Sequence, residues 1–466
     1  MHNNVLDQEW NAASLLRFAF PTIVMMLFMG LYTIVDTIFT ARLVNTDALS
    51  AINIVCPVLN VTVGLGTMLA TGGNAVISRK MGAGQDREAK EDFTLLTLAA
   101  AAVGLLIALA GTIWLEELTA VLGAGGRLAP YCHAYLGTLL FFLPANVIQT
   151  VFANLFVTAG RPGLGLFLSV AAGLSNIVLD YVFMAVCGLG IRGAALGTGV
   201  GYLIPALAGI VFFRRTGGTL SFVRPKWRRD VLRESCLNGS SEMAGQLAAA
   251  VTTFLFNRTM MELAGEDGVA AVTIMIYAQF LLNTLYIGFS MGVAPVIGFQ
   301  HGNQNSRRQK RVIRICICFI LAASVLICTA SRLGGSYMVS LFASGTSEVY
   351  RLAAAGFPVF SCSFLFCGLN IFTSAMYTAL SNGKRSAALS FLRTFVLLAG
   401  AILLLPRLFG IVGVWMAVPA AEGIMFLVSG VCLFRSRERE CVDAAAIDSE
   451  GNVCHACSRQ DKESGN

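Results

Sequence analysis

The chain has 466 residues, 56% of them hydrophobic and only 13% charged, with a mean hydropathy of +0.72. A soluble globular domain carries roughly 25% charged residues, so lipid is the solvent for most of this sequence. The formal net charge of +7 would suit a nucleic-acid partner, but the placement of the charges assigns it to the loops of a membrane protein, as shown below.

In chain order, a polar tail at 1–13 precedes a first lobe at 14–214. Apolar stretches there predict spans over 14–41, 49–78, 93–115, 131–158, 164–187 and 192–214, each near or above the roughly 20 residues a helix needs to cross a bilayer. The first is too long for a signal-peptide core, so no cleavable leader is expected. A basic linker at 215–236 leads to a second lobe at 237–434, with spans over 237–262, 268–299, 312–333, 350–379, 385–406 and 411–434. A polar tail at 435–466 follows. The sequence thus predicts an all-α polytopic membrane protein with twelve transmembrane helices. The second and eighth spans exceed what a bilayer needs, and tilt or a short re-entrant piece is expected there.

Loop charges test this count independently. With the N-terminus inside, 25 of the 33 Lys and Arg fall on the cytoplasmic side, including Arg79, Lys80, Arg228, Arg308 and Lys384. This is the positive-inside bias. It predicts a multi-pass protein of the cell membrane with both termini cytoplasmic, and it accounts for the net charge without nucleic acid.

The two lobes are copies. Asp47-Ala48-Leu49-Ser50-Ala51-Ile52 resembles Asp267-Gly268-Val269-Ala270-Ala271-Val272, an offset of 220. The same offset aligns Gly72 with Gly292, Gly82 with Gly302, Thr158-Ala159 with Thr378-Ala379, and Gly193 with Gly413. Six spans per copy give both halves one orientation, so two six-helix bundles related by a pseudo-two-fold along the membrane normal are expected.

The repeat also serves as a control on the buried charges. A carboxylate at the centre of a spanning helix costs roughly 2.5–3.5 kcal/mol on insertion scales. Asp36 in the first span and Asp180 in the fifth correspond to Phe256 and Gly400, while Asn176 and Thr198 correspond to Val396 and Val418. The polar set therefore belongs to one lobe. Asp36 lies six residues before Arg42, Asp180 seven before Cys187, and Thr198 six after Arg192. At about 1.5 Å per residue all three sit roughly 10 Å inside the outer end. Asn176 and Asp180 share a helix face. Two carboxylates, an amide and a hydroxyl at one level form an oxygen-rich site for H+ or Na+. The plainer alternative is that each aspartate only bonds neighbouring helices.

Other candidates are secondary. Asn154, Glu242 and Arg393 could add to a polar site; Glu242 stands near the cytoplasmic start of its span, and Arg393 could pair with Glu422 or line the cavity. Met25, Met29 and Tyr32 are candidates for the substrate cavity, the methionines being adaptable apolar surface that packing alone would also explain. Most of the thirteen cysteines lie in apolar segments as small hydrophobes, and the tail pair Cys454 and Cys457 lacks the second pair of a metal site. The sequence shows no nucleophile–base constellation and no phosphate-binding Gly-rich motif, so neither an enzyme nor a primary pump is expected, and no cofactor beyond the coupling ion.

Several stretches resemble the MATE (multidrug and toxin extrusion) family. They include Tyr32-Thr33-Ile34-Val35-Asp36-Thr37, Ala48 to Pro57, Gly72-Gly73-Asn74 to Gly82, Asn176-Ile177-Val178-Leu179-Asp180, Gly190-Ile191-Arg192-Gly193-Ala194-Ala195, and Gly410 to Trp415 with Glu422. The likeness covers about 14–434 and is strongest to the DinF-like and MepA-like bacterial branch. It implies a secondary active multidrug transporter, a monomer in the bilayer, that exports organic and often cationic compounds in exchange for H+ or Na+. By that resemblance Asp36, Asn176, Asp180 and Thr198 fall on the cation-coupling positions, and Asn154 is a further candidate nearer the cytoplasmic end. Tyr181 stands where many relatives have proline. A lipid-linked oligosaccharide flippase of the same wider superfamily is the alternative; it would want basic residues in its cavity, for which only Arg258 and Arg393 are available.

Overall fold

A computed structural model describes residues 4–44, 46–215, 218–340 and 345–434, with the backbone alone at 34–43, 46 and 49. Asp36 is therefore placed on its helix, but its side chain lies outside the described residues, as does the whole tail with Cys454 and Cys457.

The described chain is helical throughout, without a strand. The first three spans are Ala12–Leu43, Thr46–Gly82 and Asp86–Ile113. The fourth is broken, Ala129–Leu140 and Leu143–Thr158 meeting at 55° where Pro144 cannot supply an N–H to the preceding turn. Pro162–Val186 and Ile191–Arg215 complete the first bundle. The seventh and eighth spans form one run, Arg229–Gly302, interrupted only at Gly265, whose φ of 63° and ψ of −151° are non-helical and suit glycine. Ser306–Ser340, Glu348–Ala379, Gly383–Phe409 and Ile411–Phe434 follow. Divided at Gly265, with the broken fourth span taken as one, this makes twelve spans in two six-helix bundles.

The pseudo-two-fold is visible in the backbone contacts between the bundles. A Cβ on Gly82 would overlap the carbonyl of Phe299, and a Cβ on Gly302 would overlap that of Arg79. These two contacts exchange under the 220-residue offset. A second exchanging pair sets Gly72 on Gly239 and Gly292 on Ala19, and Gly72 also meets the Ser235 carbonyl. Because Ser235 and Phe299 both meet the 72–82 stretch, the arms on either side of Gly265 run back alongside one another. Lipid offers helices no hydrophobic drive to associate, so small residues that admit close backbone approach take over that task.

This junction lies at the end that gathers the basic loops. Arg79 pairs with Glu234 at 2.7 Å across the two bundles, and Arg228 with Glu88 at 2.7 Å. The N-terminal segment crosses the same end: Leu6 is fully buried, its carbonyl accepts from Gln300 Nε2 at 3.2 Å, and Asp7 faces Arg308 at 3.4 Å. The bundles are closed against each other here.

Gly302→Ala should cost about 1–3 kcal/mol through overpacking against backbone. The expected outcome is a lower melting temperature of the purified protein in detergent, while Gly430→Ala, whose added carbon meets nothing within 4 Å, melts as the unsubstituted chain does.

Candidate functional site

The fifth and sixth spans build a polar pocket inside the first bundle. Asn176 and Asp180 are one turn apart and both buried, at 3% and 0% exposure. Asn176 Nδ2 donates to Thr198 Oγ1 at 3.4 Å. Asn176 Oδ1 is buried with no hydrogen-bond partner among the described residues. Gly197, beside Thr198, has no Cβ, and Asp180 Oδ1 fills the place one would occupy. Immediately after Asp180 the helix widens into a π-helical stretch, Tyr181–Val186, a device that recurs at functional sites.

Asn176 and Thr198, though not Asp180, line a cavity of about 30 Å³ together with Met29, Tyr32, Gln149 and Tyr202 among others. It has room for one water or one bare monovalent ion. Asp36 follows Tyr32 by one turn on the first span. Sequence depth thus grouped Asn176, Asp180 and Thr198, and the structure brings those three together. Met25 does not join them: it is fully buried, beside Gly165.

Asn154 and Glu242 belong to a different place, a cavity of about 130 Å³ between the two bundles. The seventh helix begins at Arg229, ahead of the 237 expected from hydropathy, because charged residues carry it on beyond the apolar run. Glu242 consequently stands thirteen residues, about 20 Å, along the helix, within the bundle. Asn74, Ser290 and Thr378 line the same cavity, and the Thr158 hydroxyl donates to Asn74 Oδ1.

Arg393 is engaged elsewhere. Its guanidinium meets Glu422 Oε1 through Nε at 2.8 Å and Nη2 at 2.7 Å. Asn370 Nδ2 donates to Glu422 Oε2 at 2.7 Å, and Ser429 donates to Asn370 Oδ1 at 2.9 Å. Of the two options for Arg393 and Glu422, the structure has the pair. Their counterparts under the offset, Gly173 and Tyr202, line the first bundle's small cavity, so the second bundle has an ion pair where the first has space. Sequence reading missed Asn370, Ser290 and Gln149; an uncharged polar residue in an apolar run such as FLFCGLNIF was the available signal for the first.

Fold and site together define a polytopic two-bundle membrane transporter with a polar pocket in one bundle. The MatE family model matches residues 21–182 and 243–402, two segments whose last residues differ by the internal offset of 220, and the chain belongs to that family. Among curated relatives, the multidrug export protein MepA of Staphylococcus saprophyticus is 24% identical over 439 residues, covering 93% of this chain and 96% of its own. MepA of Staphylococcus aureus is 24% identical over 436 residues, with the same coverage. An outward-facing multidrug resistance MATE family transporter superposes with a TM-score of 0.87 at 20% identity, over 94% of this chain and 98% of that one. The Vibrio cholerae MATE transporter VcmN gives 0.86 at 20% identity, over 92% and 97%.

Removing one member of a buried ion pair strands the other, at about 3–5 kcal/mol, whereas replacing both with apolar residues is near neutral. Glu422→Leu should therefore lower the melting temperature sharply, and adding Arg393→Leu should restore most of it, as thermal unfolding of both variants in detergent would report.

Proposed function

We propose that the chain is a multidrug exporter that moves organic, often cationic, compounds outward in exchange for H+ or Na+, as a monomer in the cell membrane with both termini cytoplasmic. The basic end, where the bundles are closed, would then face the cytoplasm, and rocking of one bundle against the other would open each side in turn. The names of the MepA relatives support the substrate class.

The observation that carries the coupling site is the buried, unpartnered Asn176 Oδ1, beside Asp180 and the Thr198 hydroxyl at a cavity of ion size. A carbonyl oxygen left without a donor favours a cation or a protonated carboxyl as its neighbour. Asp36, Asn176, Asp180 and Thr198 would hold the coupling ion, and Met29 and Tyr32 would give the pocket its apolar wall. Two carboxylates in one desolvated site favour a bound positive charge over mutual repulsion. Binding the ion in one bundle alone biases only that bundle, which is what an exchange between ion and drug requires. The flippase reading loses its support, because Arg393 is paired with Glu422 and Arg258 with Glu262 at 3.3 Å.

Ethidium efflux from energised cells tests this. Asp180→Asn is expected to slow efflux at least tenfold at equal expression, and either replacing Na+ by choline or collapsing the pH gradient, one and not both, should stop efflux by the unsubstituted chain. Undiminished efflux by Asp180→Asn would sink the coupling site.

A further inference from the structure

The end of the first bundle away from the basic loops carries an open groove of about 530 Å³ between the fourth and sixth spans. Two of its lining residues, His133 and Arg192, keep polar capacity that the protein does not use. Thr119 already donates its hydroxyl to the Leu115 carbonyl at 2.9 Å. His133 Nε2, 2.8 Å from the same oxygen, is therefore the donor to it, which leaves Nδ1 as an acceptor with no partner among the described residues. Arg192 makes neither a hydrogen bond nor an ion pair with any described residue. Other arginines of that end differ: Arg127 is held by Asp47 at 2.9 Å and Arg351 by Glu348 at 2.6 Å. A guanidinium beside a groove without a countercharge is suited to an external phosphate.

The groove is graded along the membrane normal. Arg192 is the second residue of its span and His133 the fifth of Ala129–Leu140, so both polar groups lie near the membrane surface. Leu196 follows Arg192 by one turn, while Phe141 and Phe142 lie about 12 Å deeper than His133. These three give the inner part an apolar wall. The bend in the fourth span shapes that wall. Phe142, at the 55° break, occupies the place a Cβ on Gly199 would take and so ties the bend to the sixth span. Phe141 is left 77% exposed, a large aromatic surface at the depth of acyl chains.

We propose that this groove binds an anionic phospholipid whose head carries a hydroxyl, as phosphatidylglycerol does. Arg192 pairs with the phosphate, the head hydroxyl donates to His133 Nδ1, and an acyl chain runs over Leu196, Phe142 and Phe141. A free phosphate ion would meet Arg192 but leave the apolar wall uncovered. The lipid lies across the broken fourth span and the sixth, the helix that carries Thr198 six residues beyond Arg192, and thereby braces the bundle that contains the polar pocket. Nothing in this depends on which drug or ion is carried; only the leaflet, the outer one, rests on reading the basic end as cytoplasmic.

Native mass spectrometry tests this on the purified full-length protein, delipidated in detergent and titrated with phosphatidylglycerol or phosphatidylcholine of equal chain length. The first phosphatidylglycerol should bind at least fivefold tighter than phosphatidylcholine. Arg192→Gln should remove that preference and Arg192→Lys, which keeps the charge, should recover part of it. Arg407→Gln, an exposed arginine at the same end of the second bundle, should leave it within twofold. His133→Phe should bring phosphatidylglycerol down to the affinity of phosphatidic acid, which has no head hydroxyl. A preference unchanged by Arg192→Gln, or lost equally in Arg407→Gln, overturns the site. Displacement of the lipid by millimolar inorganic phosphate overturns the lipid assignment, and an unaltered lipid ranking in His133→Phe overturns the hydroxyl contact. Binding is read without transport, so failure of the exporter reading in the ethidium assay leaves this outcome unaffected.

Discussion

The structure depends on two bundles meeting at glycines that admit close backbone approach. In lipid, apolar side chains gain little by leaving the bilayer for a helix interface, so association comes from close packing. Gly82 on Phe299 and Gly302 on Arg79, with Gly72 and Gly292 on the seventh and first spans, supply that packing twice over, once for each direction of the pseudo-two-fold. Thr71, Asn74 and Ala75, which line the inter-bundle cavity, sit beside Gly72 on the same helix. Closing one end and enclosing that cavity are consequences of a single approach.

The repeat provides the frame, and the departures from it supply the chemistry. At Gly173 and Tyr202 the first bundle leaves space beside Asn176 and Thr198; at the corresponding Arg393 and Glu422 the second bundle is locked by an ion pair that Asn370 and Ser429 extend. One bundle is built with an internal countercharge, the other with a vacancy of ion size. Glu242 departs again, as an acid set against Thr22.

Much of this was legible in one dimension. Spans follow from the length of apolar runs, because the bilayer demands that the backbone satisfy its own hydrogen bonds over its full thickness. The repeat follows from glycines at a fixed offset. The grouping of Asn176, Asp180 and Thr198 follows from counting residues inward from the helix ends, since a helix that crosses a membrane converts sequence distance into depth.

Depth, however, is only one coordinate. It does not say which face of a helix a residue occupies or which neighbour that face meets. Met25 and Met29 are one turn apart, yet the first is buried in packing and the second lines a pocket. Asn154 and Glu242 line the cavity between the bundles, away from the pocket of Asn176, and Arg393 found its partner on a helix 29 residues away in sequence. The start of the seventh helix at Arg229 was hidden because helices continue past the apolar run that announces them. The sequence by itself determined the membrane class, the two-fold repeat and the level of the polar groups. Which of those groups touch was decided only by tertiary packing, because rotation about a helix axis is set by neighbouring helices and leaves no mark on hydropathy.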